Sequence, residues 1–304
     1  MIKPKYRLYI EHVSFTTRDG VILYGLRYSL NNYSHKIAIY IHGAGSTSII
    51  KNPNLNNELA NQLSLSGVDL LMFDNSGAGY ISKLRTVDND DKHEARFGGM
   101  AYETIKSSLA DIDGAIKWAN SSGYKAIYLI GHSTGANKLC AFLSAKTRPS
   151  NVAKVFLLAG GDDIALQRQR YEEDNLDYQQ ILKTANQNNA DELVPIKDFP
   201  GDHPISYKSL AELLTKYSDY DSFPFSDYLK NPKDKQLFRQ FKAIDLPIIV
   251  IYGSSDFGTI IEPSKAIDLL TKINRHAKGY LIKDADHNFK NHEKTLAKII
   301  ATEL

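Results

Sequence analysis

Five residues, Gly131-His132-Ser133-Thr134-Gly135, constrain this chain more than any other feature. They separate a short apolar run of β-formers, 126–130, from a stretch with helical spacing, 134–146. A strand that becomes a helix within so tight a turn has no room for side chains two residues before and after the serine, so glycine is needed at both places. In that setting Ser133 stands strained and exposed at the carboxyl edge of a sheet, beside a helix N-terminus that favours negative charge. A G-x-S-x-G pentad alone also arises by chance in other doubly wound proteins, so the rest of the chain decides what it means.

Around the pentad, strands and helices alternate. Residues 11–17 and 21–28 are β-rich and flank Arg18-Asp19-Gly20, whose Asp-Gly pair favours the positive φ angles of a tight hairpin. Strand-like runs follow at 37–41, 68–73, 126–130 and 154–159, separated by helical patterns at 54–66 and 101–120 and by the segment after the pentad. Such alternation predicts parallel βαβ crossovers. Between Asp162 and about Asp245 the pattern breaks into polar helical pieces punctuated by Pro195, Pro200, Pro204, Pro224 and Pro232, the mark of a helical insertion. Strands resume at 248–252 and 279–283 around a helix at 264–273, and Phe289, Leu296, Ile299 and Ile300 mark a closing amphipathic helix.

Composition narrows the function classes. The 304 residues carry 42% hydrophobic side chains, enough for a substantial core, and one cysteine, Cys140, which excludes a disulfide framework or a thiolate metal cluster. Thirty-seven Lys and Arg against 35 Asp and Glu give a net charge of +2 without blocks of one sign, so nothing predicts a nucleic-acid or anionic-membrane partner. Apolar runs fall far short of the ~20 residues of a membrane span. The residues after Met1 lack the apolar core of a secretory signal, so the expected location is cytoplasmic and the expected partner a small molecule. No heptad pattern sets an oligomeric state.

A serine hydroxyl needs a base to become a nucleophile, and the base needs an acid to orient it. Asp256 follows the 248–252 strand and His287 follows the last strand, so both sit on loops at the sheet edge that carries Ser133. The order Ser133, Asp256, His287 is that of one known arrangement of such triads. Asp162 and Asp163, after the 154–159 strand, are rival acids. His292 is a rival base, although its place in the closing helix pattern marks it as a surface residue. Asp111 and Asp113 are not a metal pair, since residues two apart on a helix face different ways. Gly77-Ala78-Gly79 lacks the third glycine and the following helix of a dinucleotide site. Cys140 and Trp118 read as core residues.

With these motifs in place the chain resembles the α/β-hydrolase superfamily over about residues 11–159 and 246–304. Four motifs carry the resemblance: His42-Gly43-Ala44-Gly45, the turn-rich residues 74–79, the serine pentad, and the Asp256 and His287 loops. The resemblance implies an α/β-hydrolase fold: a mostly parallel eight-stranded sheet with helices on both faces, a core of 1–161 and 246–304, and a cap of 162–245. It further implies Ser133 as nucleophile, His287 as general base and acid, and Asp256 as its orienting partner. The amides of Thr134 and Ala44 would form the oxyanion hole, with Gly45 as substitute for Ala44, and neither cofactor nor metal is called for. His42 would support loop structure and His132 would fill the variable position of the turn. The stretch from Gly98-Gly99-Met100 through Gly131–Ala136 is similar to a branch of cytosolic serine esterases that includes siderophore-ester hydrolases.

The implied activity is cleavage of a small-molecule carboxylic ester through an acyl-enzyme. Dehalogenases and epoxide hydrolases carry Asp where this chain has Ser133, and the expected location disfavours a secreted lipase. Carbon–carbon bond hydrolases, thioesterases and acyltransferases use the same triad, and a non-catalytic ligand-binding member of the fold would keep the pocket without turnover. The insertion holds eleven singled-out aromatics, among them Tyr171, Phe199, Tyr220, Phe223, Phe225, Phe238 and Phe241, which either wall an acyl pocket or pack the cap onto the sheet.

Overall fold

The computed structural model describes residues 7–30, 34–44, 48–87, 96–145, 149–195 and 203–304. Expectations that fall on 1–6, 31–33, Gly45, Lys146, Phe199 and Pro200 lie outside these residues.

Strands β1 (Tyr9–Thr16) and β2 (Val21–Ser29) form the opening hairpin. Its turn has positive φ at Gly20 alone and not at Asp19, with Gly20 N–H donating to Thr17 C=O and Thr17 N–H to Val21 C=O. Next come β3 (Lys36–Ile41), α1 (Pro53–Leu65), β4 (Asp69–Phe73), β5 (Ser82–Thr86), β6 (Arg96–Gly98), α2 (Ile105–Ser121), β7 (Ala126–His132), α3 (Thr134–Ser144) and β8 (Val152–Leu158). The insertion contributes α4 (Asp163–Glu173), α5 (Tyr178–Gln187), α6 (Tyr207–Leu214), α7 (Phe225–Lys230) and α8 (Arg239–Ala243). The chain closes with β9 (Ile248–Gly253), α9 (Pro263–Ile273), β10 (Ala277–Ile282) and α10 (Glu293–Thr302).

The sheet has ten strands rather than the eight expected, in the order β10-β9-β8-β7-β3-β4-β2-β5-β6, with β1 also paired to β2. The two extra strands are the short hairpin β5–β6, whose mixed, half-exposed residues carry no strand pattern. From β10 through β4 every pairing is parallel. Alternation along β3 shows how the sheet is clamped: Ile37, Ile39 and Ile41 enter a core built with α2, α3 and α9, while Ala38 and Tyr40 enter a second core with α1 and α10.

Helix starts follow local chemistry. Helix α2 begins at Ile105, later than the periodicity suggests, because a 3₁₀ turn at Met100–Tyr102 precedes Thr104, which forms a capping box with Ser107. Phe289 is not part of the last helix: it lies before α10, buried, at φ 55°. Trp118 is only partly buried and packs against the first core, whereas Cys140 is fully buried.

The insertion is packed in two ways. Tyr171, Ala185, Val194, Ile205, Tyr207, Leu210 and Leu214 make a small separate core, while Phe223, Phe225, Phe238 and Phe241 belong to the main core beside α3. Those four rings therefore anchor the insertion on the sheet. Among the described residues, no helix is long and apolar enough to cross a membrane.

Candidate active site

Ser133 sits between β7 and α3 at φ 56° and ψ −131°, a conformation costing about 1–3 kcal/mol for a residue with a Cβ. Close packing holds it there. A Cβ on Gly135 would lie 2.2 Å from the Ile41 carbonyl oxygen, and one on Gly131 2.5 Å from the Gly135 carbonyl oxygen. Gly43 is equally constrained, since its Cβ would come 2.8 Å from Ser133 Cβ. The 42–44 loop can therefore lie against the nucleophile only because residue 43 has no side chain.

The structure brings the three singled-out residues into one chain of contacts. Ser133 Oγ is 2.9 Å from His287 Nε2, and His287 Nδ1 is 2.8 Å from Asp256 Oδ1. The same Asp256 oxygen accepts the Gly258 N–H at 2.8 Å, whereas its Oδ2 is buried without a hydrogen-bond partner. The two loops are tied together: Ser254 N–H donates to Ile282 C=O, Ser255 N–H to Ala285 C=O and Asp284 N–H to Ser254 Oγ. His292 stands apart as the residue preceding α10.

The rival acids have other partners. Asp162 caps α4 through Ala165 N–H and accepts Ser226 N–H at 2.8 Å, joining α4 to α7, and burial pushes its carboxyl up to about 7. Asp163 lies 3.4 Å from Thr134 Oγ1 and 3.3 Å from Asn137 Nδ2, and burial raises it to about 6 despite the nearby His287.

Thr134 is the first residue of α3, where an amide has no intrahelical acceptor. It lines one cavity together with Ala44, Met100, Asp163, Gln167 and Tyr220, of about 140 Å³. Of the insertion's singled-out aromatics that are described, Tyr220 lines it.

Several supports escaped sequence reasoning. His132 Nε2 is 2.8 Å from the His287 carbonyl oxygen, and burial pushes its imidazole down to about 4, so at neutral pH it is an uncharged donor holding the loop of His287. Phe257, 63% exposed, lies with its ring centre 4.9 Å from that of His287. Beneath the 42–44 loop, Lys138 on α3 is 0% exposed and 2.6 Å from Glu103 Oε1, with Nζ 3.4 Å from the His42 carbonyl oxygen. His42 itself is wedged in: Nδ1 donates to Gly43 C=O at 2.9 Å and Nε2 accepts Asn75 N–H at 3.1 Å. Burial and the adjacent Lys138 push its imidazole down to about 3. Asp111, buried and raised to about 7, accepts both the N–H and the hydroxyl of Ser76, while Asp113 on another face pairs with Lys117. One signal of the buried lysine was available, since Lys138 falls amid the apolar positions of α3.

The parallel sheet, the strained serine between β7 and α3, and the Asp256 and His287 loops beyond β9 and β10 define an α/β-hydrolase fold. Solved structures share it. The siderophore hydrolase EstB from Aspergillus fumigatus aligns with a TM-score of 0.66 at 14% identity, over 92% of this chain and 94% of its own. The α/β hydrolase GrgF from a Penicillium species gives 0.64 at 15% identity, over 96% of each chain. Est1E from Butyrivibrio proteoclasticus, in a structure with ferulic acid bound, gives 0.61 at 14%, over 96% of this chain and 97% of its own. Likeness at these identities is one of fold. Among curated proteins the sequence has no match. The chain belongs to the family described as "Protein of unknown function (DUF1749)", whose model matches residues 91–303.

Proposed function

We propose that the protein is a serine hydrolase that cleaves a carboxylic ester of a small molecule through an acyl-enzyme. The observation that carries this reading is the unbroken contact chain Ser133 Oγ–His287 Nε2 and His287 Nδ1–Asp256 Oδ1, at 2.9 and 2.8 Å. His287 Nε2 takes the hydroxyl proton as Ser133 Oγ bonds to the ester carbonyl carbon, and Asp256 stabilises the resulting imidazolium. The amides of Thr134 and Ala44 receive the oxyanion, each donor contributing on the order of 3 kcal/mol to the transition state. His287 then protonates the departing alkoxide. Water, deprotonated by the same imidazole, attacks the acyl carbon and releases the acid with Ser133 restored. Residues 162–245 act as the cap that shapes the acyl site.

The fold's esterase neighbours support the ester as the bond cleaved. The test combines a fluorophosphonate probe, read by intact mass, with steady-state hydrolysis of a chromogenic acetate. One adduct on Ser133 and turnover lost in Ser133→Ala are the expected results. A folded wild-type protein that takes no adduct and hydrolyses neither esters, thioesters nor diketones would overturn the reading in favour of a ligand-binding protein.

A further inference from the structure

The cavity lined by Thr134 and Ala44 is walled mostly by apolar side chains, Met100, Leu166, Ile205 and Leu213 among them, but one side of it is polar. One face of α4 runs along it, placing Asp163, Gln167 and Arg170 at spacings of four and three residues, so all three project to the same side. Gln167 is the informative member. It is 3% exposed, it lines the cavity, and its Nε2 has no hydrogen-bond partner. A buried amide donor without an acceptor costs on the order of the desolvation of that group, a cost that an acceptor arriving from outside removes. The neighbours agree: Asp163 holds its carboxylate against Thr134 Oγ1 and Asn137 Nδ2, and Ser209 from α6 adds a hydroxyl to the wall.

Resting on the ester-hydrolase reading, we propose that Gln167 is the specificity-determining residue of the acyl site and that the acyl group it selects carries an oxygen acceptor, a keto or amide carbonyl. The substrate class is therefore an oxo- or amido-acyl ester and not a plain alkanoyl ester. Thr134, a neighbour of Ser133, lines the same cavity, so the acceptor lies a few bonds from the scissile carbonyl. Asp163 and Arg170, on either side of Gln167 along α4, make this side of an otherwise largely apolar cavity polar.

A matched pair of ligands reads this directly. The 4-nitrophenyl esters of 4-oxopentanoic and 4-methylpentanoic acid differ only in whether the fourth carbon of the chain bears an oxygen or a methyl group. Their affinities are measured by calorimetry on Ser133→Ala protein, so the outcome does not depend on turnover, while fluorophosphonate labelling of the wild type separately tests the hydrolase reading. The expected result is roughly tenfold tighter binding of the oxo ester, as one hydrogen bond to an otherwise unpaired buried donor supplies. In Ser133→Ala/Gln167→Leu that ratio falls to about one, because leucine fills the site without a donor. Gln167→Met is the second variant, should the branched side chain impair folding as read by thermal melting. Equal ratios with and without Gln167, or a preference for the alkyl ester in Ser133→Ala, would overturn the proposal.

Discussion

The sheet edge that carries Ser133 and the insertion that overhangs it are built on different terms. Strands β3, β4, β7, β8 and β9 are buried almost throughout, and each loop of the triad leaves the end of one such strand or of its edge neighbour β10. The insertion has a small core of its own, and it is tied down both by Phe223, Phe225, Phe238 and Phe241 in the main core and by polar links. Asp162 joins α4 to Ser226, Arg168 meets Asp227 at 3.1 Å, and Glu212 on α6 accepts the Ile105 N–H at the start of α2. The sheet half brings the Ser133, His287 and Asp256 side chains into contact, whereas α4 of the insertion places Asp163, Gln167 and Arg170 along the cavity. Under the proposed function, this separates the reacting groups from those that select a substrate.

The sharpest break of that division comes at the nucleophile. Ser133→Ala and His287→Ala should each lower kcat on a chromogenic ester by roughly 10⁶-fold, and the double variant by no more, because the pair acts as a unit. Unchanged melting temperatures would show that the loss is chemical. If either variant keeps more than a hundredth of the activity, the base or nucleophile lies elsewhere. Asp256→Asn comes next: the geometry persists while the imidazole loses its charged partner, and kcat should fall about 10⁴-fold. A variant in which Asp163→Asn caused that larger loss would move the acid to the α4 side and dissolve the distinction between the two halves.

Much of the sheet half was legible in the sequence. A strand buried on both faces is an apolar run, and the loop at its end is placed by it, which is why Ser133, Asp256 and His287 could be singled out as neighbours at one sheet edge. The roles of His132, Lys138 and Gln167 could not be read that way, because they depend on groups far along the chain: His132 on the carbonyl of residue 287, Lys138 on residue 103, and Gln167 on a buried Nε2 that has no partner. The β5–β6 hairpin was missed since its strands are short and half exposed. The insertion's phenylalanines show the same limit, for a ring's identity says that it is buried but not whether it faces a cavity or the sheet.

Beneath the catalytic edge, the Lys138–Glu103 pair tests whether rigidity there has a polar component. Lys138→Met strands a buried carboxylate and should lower unfolding free energy in urea by about 3–5 kcal/mol. Combining it with Glu103→Leu removes both charges and should recover most of that loss, since an apolar pair of similar volume no longer carries the desolvation cost. Any remaining deficit in kcat with stability restored would measure what the Lys138 contact to the His42 carbonyl contributes to holding the 42–44 loop in place.

The smallest effect should come from the link between the halves. Glu212 is raised to about 7 from an ordinary 4.5, chiefly by burial and partly by Asp219, against the lowering effect of the Ile105 N–H it accepts. Between roughly pH 4.5 and 7 the folded protein therefore holds a proton that the unfolded chain has released, so this group makes stability fall as pH rises through that window and adds no further change above it. Glu212→Gln keeps an acceptor for the Ile105 N–H and cannot ionise. The variant should match wild type near pH 4.5 and exceed it by on the order of 2 kcal/mol at pH 8, read as the difference between urea midpoints at each pH so that the other raised carboxyls cancel. A constant difference across the range would mean that the carboxyl stays ionised where α6 meets α2, and that this junction is hydrated enough for the insertion to move independently of the sheet.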